Sequence, residues 1–202
     1  MAEDAEAPLL SPRFEQAFLM ATRLHARQRR KGTAIPYVSH LMAVSSLVFE
    51  DGGSEDEAIA ALLHDAVEDQ GGPPTLEEIR KVFGDKVAGI VAGCTDSDVM
   101  PKPPWRERKQ RYIAHIRQAG PDVRRVSAAD KLHNARAILA DLHKHGDAVW
   151  DRFTADRTGV LWYYRSLVTA FRDTGVGFLA DELDRVVTQL ERGLVTLAPP
   201  SR

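Results

Sequence analysis

The chain has 202 residues, with 27 basic and 29 acidic side chains, a net charge of −2, 44% hydrophobic and 28% charged residues. This is the balance of an ordinary globular protein of roughly one or two domains, and the missing basic excess gives nucleic-acid binding no support. One cysteine, Cys94, excludes an internal disulfide; no apolar run reaches the ~20 residues of a membrane span, and the acidic start Met1–Glu6 lacks a signal-peptide pattern, so the default is a cytoplasmic protein without a membrane partner.

Residues 1–10 read as a flexible N-terminal arm. Ser11-Pro12 supplies an N-cap and a proline at the first helical position. Phe14, Ala17, Phe18, Ala21 and Leu24 follow at helical spacing and lead into the basic cluster Arg27–Lys31, which Gly32 and Pro36 terminate. A second helix starts near Ser39, has His40 in its first turn, and runs through Leu41, Val44, Leu47 and Val48 to Gly52-Gly53. Ser54 and Glu57 form a capping box that opens a helix carrying Ala60–Gln70 and closing at Gly71-Gly72-Pro73-Pro74. Thr75 and Glu78 predict a second capping box and a helix to Phe83, ended by Gly84. Asp85 opens another through Val87, Ile90 and Val91, beside which Cys94 reads as a buried, inert thiol. Thr95–Pro104 is the one real loop. Trp105–Gln118 reads as a basic helix contacting the core through Trp105, Tyr112, Ile113 and Ile116. Asp122 caps a long helix through Val126, Ala129, Leu132, Ala135 and Leu139 to Gly146. A short helix holds Trp150 and Phe153. Leu161, Tyr164, Leu167, Val168 and Phe171 mark the next helix, and Leu179, Leu183, Val186, Val187 and Leu190 the last. Residues 196–202 read as a flexible tail. No segment alternates apolar and polar as a strand would. The expectation is all-α: a single helical domain of about eight to ten helices over residues 11–195.

Within Ala60–Gln70, a continuous helix at about 100° per residue puts His64 at zero, Glu68 near 40°, Asp65 near 100° and Asp69 near 140°, roughly, opposite Leu62, Leu63, Ala66 and Val67. A solvated acidic face accounts for Glu68 and Asp69. It accounts poorly for His64-Asp65, two good metal ligands beside an apolar run. Two other places offer ligands: His40, and Asp130, a mid-helix aspartate after alanines that is intrinsically disfavoured there. His25, His115 and His133 read as packing or surface residues.

His40, then His64-Asp65, then Asp130 resembles the four-ligand pattern of the HD superfamily of metal-dependent phosphohydrolases. Arg30-Lys31-Gly32 with Pro36-Tyr37, Glu68-Asp69, and the run Ala129-Asp130-Lys131-Leu132-His133-Asn134 narrow it. Together they resemble the hydrolase domain of RelA/SpoT proteins over roughly residues 14–172, and the stand-alone small alarmone hydrolases of the metazoan SpoT-homologue type. The resemblance implies an HD-domain fold and a (p)ppGpp 3′-pyrophosphohydrolase of the stringent response that releases pyrophosphate and GDP or GTP. It implies His40, His64, Asp65 and Asp130 as ligands of one divalent ion. Such an N/O set suits Mn²⁺, Fe²⁺ or Zn²⁺ better than Ca²⁺, and the resemblance favours Mn²⁺.

By the same resemblance Glu68 and Asp69 aim water and move its proton. A pyrophosphate needs cations: Arg30 and Lys31 first, Arg108 and Lys109 second, Arg136 third. Asn134, one turn beyond Asp130, contacts the nucleoside, and Tyr37 and Tyr163 flank it. A solvated basic face explains Arg106–Arg111 equally well, Asn134 also reads as a surface residue, and the tyrosines also read as packing. Departures from the pattern are the lengthened Thr33-Ala34-Ile35 segment, Leu41 after the histidine and Gln70 after the Glu-Asp pair. The first motivates an alternative substrate: (p)ppApp, NADPH or a nucleoside monophosphate. A non-catalytic nucleotide-binding HD module is the third reading. The partner is a small-molecule nucleotide; oligomeric state is unknown from sequence.

Overall fold

Glu55–Leu63 forms α3, and from Glu57 to Leu63 every residue of it is buried. A helix apolar on all sides must be covered on all sides. α1 (Pro12–Leu24), α2 (Val38–Glu50), α6 (Asp85–Cys94) and α8 (Pro121–His145) surround it. The protein is described by a computed structural model covering residues 9–95 and 103–193. Residues 1–8 of the expected 1–10 arm, the expected tail and most of the Thr95–Pro104 loop lie outside the described residues.

The remaining elements are α4 (Ala66–Gln70), α5 (Pro73–Phe83), α7 (Trp105–Gln118), a 3-10 helix (Gly146–Arg152), α9 (Arg157–Asp173) and α10 (Phe178–Arg192). The all-α expectation is met: among the described residues the only β-type pairing is an isolated bridge between Arg29 and Pro36. α8, 25 residues and about 38 Å long, is the spine. It packs α2, α3 and α6 at one part and α10 and the 3-10 helix at another, while α7 leans on α9. Gly93 permits the close α6–α8 crossing, because a Cβ there would lie 2.7 Å from Val123 Cγ2. No helix among the described residues is long and apolar enough to cross a membrane.

The punctuation of the sequence is largely kept. Ser11 caps α1 with Pro12 at its first position, and the Ser54–Glu57 box closes on both sides. Four expectations are corrected. The Ala60–Gln70 stretch is not one helix: α3 ends at Leu63 and α4 begins at Ala66, with Asp65 at φ −96°, ψ −1° between them. The Thr75–Glu78 box does not form, because Pro73 and Pro74 already occupy the first turn of α5 and need no N–H partner; the Thr75 hydroxyl donates instead to the Gln70 carbonyl at 3.3 Å. Gly120, not Asp122, is the N-cap of α8, with Pro121 next, and the Asp122 carboxylate accepts from the Val123 N–H at 2.8 Å. The basic cluster lies beyond α1, whose last residue is Leu24.

Glu57 does double service, since its carboxylate closes the Ser54 box and also pairs with Arg125 of α8. Ser54→Ala is expected to destabilise the fold by about 1 kcal/mol, read as a lower urea midpoint at unchanged m-value.

Candidate metal centre and adjoining cavity

Three segments converge at the C-terminal end of α3: the first turn of α2 with His40, the break with His64-Asp65, and the middle of α8 with Asp130. In an unbroken helix, neighbours 64 and 65 diverge by about 100°. The break turns both inward, so that His64 Nε2 stands 3.0 Å from Asp65 Oδ2. His40 Nε2 lies 3.2 Å from Asp130 Oδ1 and 3.7 Å from Asp65 Oδ2, and His64 Nε2 lies 3.6 Å from Asp130 Oδ1. His40, His64 and Asp130 are buried.

These atoms fit a divalent ion. Both Nε2 atoms are buried without a hydrogen-bond partner, an arrangement that polar atoms in a protein interior rarely sustain. The opposite ring nitrogen of His64 faces the Ala61 carbonyl at 2.8 Å, so Nδ1 is a donor there and Nε2 is the nitrogen left to face an ion. Ligands about 2.1 Å from one ion stand about 3 Å apart in adjacent positions, which is the spacing found. The C-terminus of α3 adds its partial negative charge.

A ring of further contacts holds the four. The Tyr37 hydroxyl donates to Asp65 Oδ2 at 2.5 Å. Lys131 Nζ donates to Asp130 Oδ2 at 2.5 Å, and Asn134 Nδ2 donates to Asp130 Oδ1 at 2.5 Å. Arg30 in turn donates to Asn134 Oδ1 at 2.6 Å. His40 Nδ1 meets His133 Nδ1 at 2.7 Å. With Nε2 of His40 turned to the carboxylates, its Nδ1–H is the donor and His133 the acceptor, the outer partner that fixes a ligand's tautomer.

The charges respond accordingly. Burial alone would lower the His64 pKa, but the Asp65 charge and the contacts to Asp130 outweigh it and hold the imidazole well above its ordinary range. Burial would raise Asp65, yet His64 and His40 bring it well below the carboxylate range. Asp130 is likewise brought low, against its burial, chiefly by Lys131. Burial, with His40 and Arg30 beside it, pushes His133 down to about 4, leaving it neutral at pH 7.

Tyr37, Lys131, His133 and Asn134, each touching a residue of the cluster, also line a cavity of about 590 Å³. Arg30, Lys31, Arg108, Lys109 and Tyr163 line it too, with Lys109 Nζ 4.9 Å from the Tyr163 ring centre. Arg136 does not: two residues past Asn134, it falls on the far side of α8 and pairs with Glu182 at 3.1 Å. The fold does not bring it to the cavity with the other expected cations. Glu68 and Asp69 sit on α4 just past the break, outside the cavity lining. Asp69 Oδ2 accepts from Gln28 Nε2 at 2.7 Å, while Gln28 Oε1 takes His25 Nδ1 at 2.6 Å and the Gln70 amide. Burial raises the Asp69 pKa, the Gln28 bond opposing it.

Sequence reasoning missed Lys131, His133, His25 and Gln28. The first two lie inside the quoted Asp130–Asn134 run, where the i,i+1 and i,i+3 offsets from Asp130 were a usable signal. His25, three residues away, is the only local sign of Gln28, whose carboxylate partner Asp69 is 41 residues away.

Comparison with known proteins bears on the same residues. The profile of the HD domain family matches residues 17–161. The guanosine-3′,5′-bis(diphosphate) 3′-pyrophosphohydrolase MESH1 of Xenopus tropicalis is 38% identical over 126 residues, 61% of this chain and 68% of that protein. The Drosophila melanogaster protein of the same name is 32% identical over 188 residues, 92% of this chain and 97% of that one. A solved structure described as a metazoan orthologue of SpoT that hydrolyses ppGpp and plays a role in starvation responses superposes with a TM-score of 0.74 at 28% identity, over 94% of this chain and all of that one.

A raised His64 pKa means that the imidazole keeps a proton which a metal ion must displace. Apparent affinity for Mn²⁺ is therefore expected to fall as pH falls. Titration calorimetry in buffers of different ionisation enthalpy should register proton release; pH-independent binding without it would refute the assignment of His64 as a ligand.

Proposed function

Because the chain belongs to the HD domain family, we propose that it is a metal-dependent guanosine-3′,5′-bis(diphosphate) 3′-pyrophosphohydrolase. The observation that carries this is the buried pair of unpartnered Nε2 atoms facing Asp65 and Asp130, joined through Tyr37, Lys131, His133 and Asn134 to a cavity lined by cations. The MESH1 relatives and the SpoT orthologue support the substrate.

The reaction adds water to the phosphorus attached to O3′, breaks the P–O3′ bond, and leaves pyrophosphate and GDP or GTP with a protonated 3′ oxygen. His40, His64, Asp65 and Asp130 would hold one divalent ion, best Mn²⁺, which when bound supplies Lewis acidity to the phosphate and a lowered pKa to water. Lys131 keeps Asp130 ionised and aimed, and His133 fixes the His40 ring. Arg30, Lys31, Arg108 and Lys109 receive the phosphate charge, the arginines in two-pronged contact. Arg30 and Asn134, already joined, set the nucleoside against the cluster; Tyr37 and Tyr163 wall it. Glu68 and Asp69, one turn past the ligands, orient water and accept its proton. Gln28 holds Asp69 in position, its amide turned so that the NH₂ faces the carboxylate because two donors already occupy its oxygen.

Purified protein with Mn²⁺ is expected to convert ppGpp to GDP and pyrophosphate, and Asp65→Ala to abolish turnover and metal retention together. Intact ppGpp with stoichiometric metal bound would overturn the reading. Gln28→Leu is expected to lower kcat about 10- to 100-fold with KM little changed, since it disturbs proton transfer and not phosphate binding. Combined with Asp69→Asn it should add little; additive losses would place Gln28 outside that relay.

A further inference from the structure

The cavity runs along one face of α8. Asn134, Ala137, Ile138, Asp141 and Lys144 all line it, and Asp141 stands three turns beyond Asp130, about 16 Å along the axis on the same face. Among the described residues lining this cavity, Asp141 is the only carboxylate. A pocket built for a polyanion gains nothing from a negative charge unless something other than phosphate faces it.

Asp141 is held in place. Arg152 of the 3-10 helix donates to its Oδ2 at 2.7 Å, and each side chain is only about a quarter exposed, 24% and 26%. Arg152 also braces the lengthened Gly32–Pro36 segment: a Cβ on Gly32, at φ +73°, would come within 3.2 Å of Arg152 Cδ. The lengthened Gly32–Pro36 segment noted in the sequence therefore starts beside Arg152, and its Thr33 and Ile35 line the same cavity.

An ionised carboxylate only accepts hydrogen bonds. Of the parts of a purine nucleotide, the base edge supplies donors without negative charge. Guanine presents N1–H and the N2 amine side by side. Adenine presents an amine beside N1, a lone pair that would face the carboxylate. We propose that Asp141, oriented by Arg152, selects guanine over adenine, accepting from N1–H and N2–H₂ of a nucleotide whose 3′-diphosphate lies at the metal centre. The inference rests on the hydrolase reading above.

The test is a ratio. kcat/KM for the guanosine and adenosine 3′,5′-bis(diphosphates), and Kd for GDP and ADP by calorimetry, are measured on Mn²⁺-loaded wild type, Asp141→Asn and Asp141→Leu. Wild type is expected to favour guanine about tenfold or more, the scale of a paired base-edge contact. Asp141→Leu should bring both ratios near unity, mostly through loss of guanine. Asp141→Asn, which offers one donor and one acceptor and so matches adenine, should shift the preference toward adenine. A brace without base contact would weaken both nucleotides alike. No guanine preference in wild type, or an unchanged ratio in the variants, overturns the proposal. Turnover of neither bis(diphosphate) would count against the hydrolase reading alone, because the GDP-to-ADP binding ratio still judges Asp141.

Discussion

Residues 64 and 65 are adjacent in the chain, and an unbroken helix would send their side chains apart. The molecule resolves this by ending α3 at Leu63 and restarting at Ala66. Burial of α3 on every side fixes where that interruption falls, because the helix can be displaced neither along nor around its axis without exposing Ile59, Leu62 or Leu63. The centre inherits its precision from the best-packed element of the fold. Its donor atoms, 3.0 to 3.7 Å apart, depend on that anchoring more than on their own contacts.

Gathering two imidazoles and two carboxylates in the interior is costly unless each has a partner. The surroundings meet most of that demand: Lys131 and Asn134 on Asp130, Tyr37 on Asp65, Ala61 on His64, His133 on His40. What they leave open is the inward edge of both rings. A divalent cation would serve that edge, displacing the proton that the carboxylates hold on His64. Four of these five neighbours, Tyr37, Lys131, His133 and Asn134, also line the cavity, so the cluster and the cavity share side chains.

α8 acts as a ruler for the cavity. Asp130 sits at the end nearest His40 and His64, Lys131 and Asn134 follow, and Asp141 lies three turns on. One rigid helix thus sets the distance between the His40, His64, Asp65 and Asp130 cluster and the Asp141 carboxylate at the far end of the cavity. The 3-10 helix matters because Arg152 ties that distal end to the Gly32–Pro36 segment, placing the lengthened loop and a helix in one wall.

Helix number, most boundaries and the fold class were legible in the sequence, because capping residues, prolines and apolar spacing act locally: Ser11-Pro12, Ser54–Glu57 and the stop at Gly84 all behave as written. The ligand candidates were legible through their pattern as a set, and Asn134 through its one-turn offset from Asp130. Tertiary structure alone decided the interruption at His64-Asp65, since local periodicity favours continuing a helix and only packing around α3 favours breaking it. It alone decided that Arg136 turns to Glu182 while Lys131 turns to Asp130, because the sense of rotation of a helix against its neighbours is set by contacts remote in sequence. Gln28 reaching Asp69, His133 reaching His40 and Arg152 reaching Asp141 belong to the same class. Side-chain type is encoded residue by residue, whereas the partner each group meets is encoded in how whole helices stack.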